Sequence, residues 1–253
     1  MINWLRRMLT LCRFTLREYI RSGRVLVELV AMPVVAWLFF WPNGAVKGLD
    51  PVWFFSMAGI FFVLLAAYTM FALVRLCSRP QGYVIISREL GRRGYLIGLY
   101  AAAIVIIVVV YLLFSALIAI IWSTRPHTLS LVGWLAGSLP LLLNAGIIAA
   151  LVLLIAPLVL PTRPRLIILA LLMVALSRNV DLFGHTAASV ALRPVQALLG
   201  IPLLPALSGF ALSAEGSYGI AAAGVLLGQL ASIGVLLALA LLAFDRRELI
   251  LAP

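Results

Sequence analysis

The sequence predicts an all-α protein built into a membrane, on three observations. Apolar residues fill 65% of the 253 positions and charged residues only 11%, against roughly a quarter charged in ordinary soluble domains. The apolar residues are gathered into runs long enough to cross a hydrocarbon core about 30 Å thick. The basic residues are strongly asymmetric: of the 19 Lys and Arg, all but Lys47, Arg125, Arg178 and Arg193 fall in alternate inter-run segments, the bias that orients a multispanning chain with its arginine-rich loops in the cytoplasm. The net charge of +11 therefore reads as a topology signal and not as a nucleic-acid footprint. Six spans follow, at about 25–41, 52–74, 96–122, 129–160, 166–180 and 218–244, with both termini cytoplasmic.

Residues 2–21 come first and read as an amphipathic helix. At 100° per residue Leu5, Leu9, Cys12, Leu16 and Tyr19 share one side, and Arg6, Arg13, Arg17 and Arg24 another. Such a helix lies in the interface with its arginines toward anionic headgroups and its leucines toward acyl chains; the alternative is a plain basic tail. No small-residue cleavage site follows the first apolar run, so no cleaved leader is expected. The first span carries Glu28 one turn after Arg24, which suggests an i,i+4 ion pair near the inner interface. A carboxylate in a span is also a functional candidate by default. Pro33 is a possible kink, and Asn43-Gly44 and Asp50-Pro51 mark the turn to the second span.

Residues 75–95 form the longest polar interruption on the cytoplasmic side, with Arg75, Arg79, Arg88, Arg92 and Arg93 against one acid, Glu89. Within it, Tyr83 to Leu90 has helix-compatible spacing, Val84, Ile85 and Ile86 standing beside Ser87, Arg88 and Glu89, and Gly82 and Gly91 are breakers at either end. Two readings fit: a short helix offered across the membrane face to a soluble partner, or a basic loop fixed at the headgroups.

The third span is β-branched in its core but long enough for a helix in lipid. The fourth run, 129–160, exceeds one span and holds Pro140, Asn144, Gly146 and Pro157, so it is either strongly tilted or broken. Arg163 and Arg165 mark a tight inner turn before the fifth span. Residues 181–217 mix Asp181, His185, Arg193 and Glu215 with an apolar stretch split by Gly200, Pro202 and Pro205. That stretch is too short to span and reads as an outer re-entrant segment, or else as an ordinary outer loop with one amphipathic helix. Gly224 and Gly228 in the last span, and Gly133 and Gly137 in the fourth run, have the GxxxG spacing that lets helices approach closely.

Chemistry is conspicuously thin. The one lysine, Lys47, is followed by Gly48, so no phosphate-binding P-loop is present. The two histidines, His127 and His185, are far apart and outside, and the two cysteines, Cys12 and Cys77, form no ligand cluster. No Asp, Glu, Lys or Arg falls mid-membrane in the second, third, fourth or sixth run, where an ion-coupled carrier or an intramembrane enzyme needs them. The chain is expected to be no enzyme and to bind no cofactor or metal.

Three features together carry a resemblance: the element order, the stretch IISRELGRRGYLIGLY from Ile85 to Tyr100, and the end FDRREL from Phe244 to Leu249. The sequence resembles the permease subunit of type-2 ATP-binding-cassette (ABC) exporters. The match in element order runs over the whole chain, while the motifs are short. Leu99 stands where the family often has a lysine, and Gly82 is followed by Tyr83 where a threonine is common. The resemblance implies a homodimer or heterodimer of permeases in the inner membrane of a prokaryote, each binding a cytoplasmic ATPase that holds the ATP and magnesium. It makes Tyr83, Val84, Ile85, Ile86, Ser87, Arg88, Glu89, Leu90, Gly91, Arg92 and Arg93 the coupling segment, and the outer re-entrant segment a gate. The competing expectations are a non-transporting membrane scaffold and a channel or secondary carrier. For cargo, the uncharged interior favours lipid-like, peptide or drug-like molecules, and Trp53, Phe54, Trp122 and Trp134 leave room for stacking on sugars.

Overall fold

The computed structural model describes residues 2–41, 50–77, 91–122, 130–176, 204–215 and 220–246. Within them the chain is helical throughout: α1 (Ile2–Arg21), α2 (Val25–Phe40), α3 (Pro51–Cys77), α4 (Gly91–Trp122), α5 (Leu131–Ile155), α6 (Thr162–Leu176), α7 (Leu204–Glu215) and α8 (Ile220–Asp245). Four of these, α3, α4, α5 and α8, are long and apolar enough to cross a bilayer, and the bent pair α1–α2 makes a fifth if counted as one span. Of helix α6 15 residues are described, against the roughly 20 a span requires.

Helices α2 to α5 alternate in direction. At one end, the Arg24 guanidinium at the start of α2 donates to the Ala72 carbonyl near the end of α3. At the other, the Trp122 indole closing α4 donates to the Phe40 carbonyl at 3.1 Å, and the Trp53 indole at the start of α3 donates to Phe39 at 3.2 Å. The first end gathers Arg13, Arg17, Arg21, Arg24, Arg75, Arg93 and Arg246. The second has Trp41, Trp53 and Trp122, the aromatic belt of a membrane–water interface.

Helix α5 is the axis of the bundle and packs against α3, α4, α7 and α8. Its start is capped by Ser130, whose hydroxyl accepts the Gly133 N–H at 3.0 Å. Pro140 sits inside it without ending it. The surplus of the fourth apolar run is a buried turn: the helix stops at Ile155, and the Val159 and Leu160 N–H groups fold back onto the Ala156 carbonyl. The break therefore falls at Pro157 and not at Pro140. Toward the tryptophan end an aromatic cluster fills the core, with Phe40, Phe54, Phe62 and Tyr111 ringed around Phe114 or one another at centroid distances of 5.2–6.5 Å.

Of the two GxxxG pairs, the close approach is at Gly137, where an added Cβ would stand 2.3 Å from Phe55 Cζ. Gly228 has only ordinary contact with Pro205, and Gly224 faces open space. Phe55 is buried and packs edge-on to Phe54, so its ring has nowhere to swing. Gly137→Ala should therefore lower stability by about 1–3 kcal/mol, the usual cost of overpacking. Gly224→Ala should leave it unchanged. Thermal midpoints of the two purified variants check this.

Helix α1 meets α2 at a bend of 70°. Gly23 makes the corner in the left-handed region, at φ 73°, where glycine carries no Cβ penalty. Arg13 and Arg17 are exposed, as the periodicity predicts, whereas Arg24 of the same stripe is half-buried, and the opposite side is divided. Leu11, Cys12, Thr15 and Tyr19 are buried against the bundle, whereas Leu9 is exposed. Leu11 lies over Gly98, where a Cβ would meet its Cδ2 at 2.7 Å. That contact sets the level of α1 along α4. From Gly98 to Trp122 is about 36 Å at 1.5 Å per residue, close to one hydrocarbon core plus a margin. The seven residues before Gly98 then extend about 10 Å further, beyond the level of α1.

Candidate functional site

Two polar centres interrupt the apolar bundle. The first lies where α1, α2 and α3 meet. Glu28 is 1% exposed. Its Oε1 accepts the Tyr19 hydroxyl at 2.7 Å and the Thr69 hydroxyl at 2.5 Å, while Oε2 accepts no hydrogen bond from any described residue. The expected Arg24–Glu28 ion pair is not formed. Arg24 reaches the Ala72 carbonyl instead, because the turn at Ser22 and Gly23 brings Tyr19 back over Glu28 and leaves Arg24 facing α3. That turn is tightly bonded, with Ser22 N–H donating to Glu18 at 2.9 Å and the Ser22 hydroxyl to Tyr19 at 2.8 Å.

This centre grips both helices that flank residues 78–90. Thr69 and Ala72 lie eight and five residues before Cys77, the end of α3. On the other flank, Leu11 rests on Gly98, seven residues after the start of α4 at Gly91. Arg93 adds a further tie: its Nε donates to Asp245 Oδ2 at 2.8 Å, joining the first turn of α4 to the last of α8. The pair is exposed, so its strength is slight, but it fixes which helix ends are neighbours. Of the proposed coupling segment, Tyr83 to Leu90 lie outside the described residues; Gly91, Arg92 and Arg93 form the first turn of α4.

The second centre lies inside the bundle. Gln229 of α8 is fully buried, and its Nε2 donates to Asn144 Oδ1 at 2.7 Å and to the Pro140 carbonyl at 3.0 Å. Asn144 in turn donates to the Ala206 carbonyl of α7 at 2.9 Å. Gln229 Oε1 accepts nothing from the described residues. Helix α7 comes this close because residue 209 is glycine: a Cβ there would stand 2.0 Å from Gln229 Nε2 and 2.9 Å from Asn144 Oδ1. The short helix α7, within the segment expected to re-enter the membrane, is thereby fastened to both α5 and α8. Asn144 was visible in the sequence as a polar residue in an apolar run. Gln229 carries the same signal in its span, an uncharged amide being less costly there than an ionisable group.

The first centre offers a buried carboxyl and two hydroxyls, the second only amides. Among the described residues no three His, Cys, Asp or Glu side chains come together as a metal site. The buried thiol of Cys12 stands alone in the α1 interface. No family model, curated relative or solved structure matches the chain.

Proposed function

We propose that this chain is the membrane-spanning permease subunit of a type-2 ABC exporter. In this reading six spans with cytoplasmic termini sit in the inner membrane of a prokaryote, paired with a second permease. A separate cytoplasmic ATPase docks on Tyr83 to Arg93 and supplies ATP and magnesium. The observation that carries the reading is the bracing of the two flanks of that segment. A push delivered between Cys77 and Gly91 enters α3, which Thr69 and Ala72 tie to α1 and α2, and α4, which Leu11 and Asp245 tie to α1 and α8. A soluble partner acting there would move most of the bundle at once, through differential contacts with two packings of the helices. The amide clasp on α7 is the counterpart at the far end of that motion: it sets the resting position of the proposed gate.

The test is co-purification with the ATPase encoded beside the chain, followed by its ATPase activity in lipid. Glu89→Lys and Gly91→Trp should leave the membrane chain assembled but cut the ATPase activity that depends on it by roughly fivefold or more, the lower range of an allosteric coupling. Unchanged activity in both variants would remove the docking assignment. If no ATPase is captured at all, the chain is a scaffold or carrier instead.

A further inference from the structure

Toward the tryptophan end, α4 and the start of α5 part to leave a cavity of about 550 Å³, within the range of sites that hold a small ligand. Its floor is the buried Phe54, Ile118 and Trp122. Leu112, Ala116 and Ala119 form one wall, a helical i, i+4, i+7 stripe in which two of three residues are alanine. Leu131 and Trp134 form the other. The alanines are what open the space, since larger residues on that stripe would close it.

We propose that this cavity seats one acyl chain of a bilayer lipid drawn from the leaflet at the tryptophan end. Four properties select that occupant. The described residues that line the cavity are all uncharged, so they offer an ionic headgroup no partner and an alkyl chain no penalty. It is continuous with the surface that meets lipid: Val105, Val109 and Leu113 on α4, and Val132, Leu135 and Leu139 on α5, are large, apolar and exposed on either side of it. Ser130 precedes α5 and Trp122 ends α4, which places that end at the interfacial belt and the remainder in hydrocarbon; the one hydroxyl deeper in, Ser115, already accepts the Trp134 indole N–H. Its length agrees as well. Leu112 to Trp122 is about 15 Å of helix, half of a core of about 30 Å, and hence one leaflet.

The two indoles at the site are already engaged, which argues against a stacked sugar. Trp134 lies parallel to Tyr111 at 5.9 Å and donates its indole N–H to Ser115 at 3.3 Å, and Trp122 donates to Phe40. What the cavity leaves open is apolar edge. The inference needs only that the chain sits in a bilayer, and stands whether or not an ATPase partner exists.

The test uses the full chain in phosphatidylcholine nanodiscs carrying a trace of phosphatidylcholine with a diazirine at mid-chain. After illumination, label is mapped by mass spectrometry. Insertion at Leu112, Ala116, Ala119 and Leu131 should exceed, severalfold per residue, that at Leu227, Leu230 and Val235 of α8, which are also exposed. Filling the space with Ala116→Trp should bring the yield on α4 and α5 down to the α8 level while α8 labelling holds. Equal labelling of both faces in the wild-type chain would overturn the proposal, independently of whether the tryptophan variant folds. So would undiminished labelling in a folded variant.

Discussion

Glu28→Ala should detach α1 from the bundle and lower stability by about 2–4 kcal/mol. The carboxyl is the acceptor for two buried hydroxyls from two other helices, Tyr19 and Thr69. A buried donor left unpaired costs about 1–3 kcal/mol. The two hydroxyls do not fare alike. Thr69 is inside α3, and its hydroxyl can turn to the carbonyl four residues back. The Tyr19 phenol is 1% exposed at the end of a rigid ring and has no such escape, so most of the loss falls on it. A small cavity adds to the total. Glu28→Gln keeps a carbonyl oxygen where Oε1 stands and should remain within about 1 kcal/mol of the parent. In a double-mutant cycle Tyr19→Phe should cost much less in the Glu28→Ala background than alone, because both remove the same bond. Thermal midpoints in detergent give the stabilities, and limited proteolysis at Arg13 and Arg17 reports whether α1 has lifted. An alanine variant as stable as the parent, with α1 still protected, would show that the carboxyl is not the anchor.

That anchor also marks how far the sequence could be read. Glu28 stood out because a carboxylate in an apolar run is costly wherever it lands. Its partner is not legible, because i,i+4 spacing reports proximity along one helix and is silent about a corner. The corner depends on one glycine in the left-handed region, Gly23, and it brings in Tyr19 from nine residues upstream and Thr69 from 41 downstream. The long helices were legible for a simpler reason: in lipid every backbone polar group must be satisfied within the segment, so an apolar run of sufficient length is a helix. Depth in the bundle was not legible. Helices α5 and α8 are similarly apolar, yet α5 is the buried axis and α8 is mostly exposed. The glycines mislead in the same way. Gly137 and Gly224 belong to identical spacings, and only the first meets a neighbour. Gly209 belongs to no motif and makes the tightest approach among the described glycines.

At Gly209 the smallest possible substitution should unfasten a helix. In Gly209→Ala the new methyl would arrive 2.0 Å from Gln229 Nε2. The amide is the far end of a flexible side chain and can withdraw, so steric strain alone is modest. The cost is in what withdrawal breaks. Nε2 leaves both Asn144 Oδ1 and the Pro140 carbonyl, and the methyl also crowds Asn144 Oδ1, which is 2.9 Å away. Interhelical hydrogen bonds in membranes are worth about 0.6–2 kcal/mol each, and overpacking adds about 1–3, so a loss of about 2–4 kcal/mol is expected. Its location is more telling than its size. The bonds lost join α8 to α5, and the one endangered, from Asn144 to Ala206, joins α5 to α7, whereas the Glu28 centre is untouched. Hydrogen exchange should therefore rise in residues 204–215 and stay unchanged in α1. Gln229→Leu tests the same clasp from the other side: it removes the unpartnered Oε1 together with the donor, and should leave Asn144 bonded to Ala206 and α7 protected. Were Gly209→Ala to leave exchange in α7 at the parent level, the helix would be held by its apolar contacts alone, and the amides would have no part in setting the position of the proposed gate.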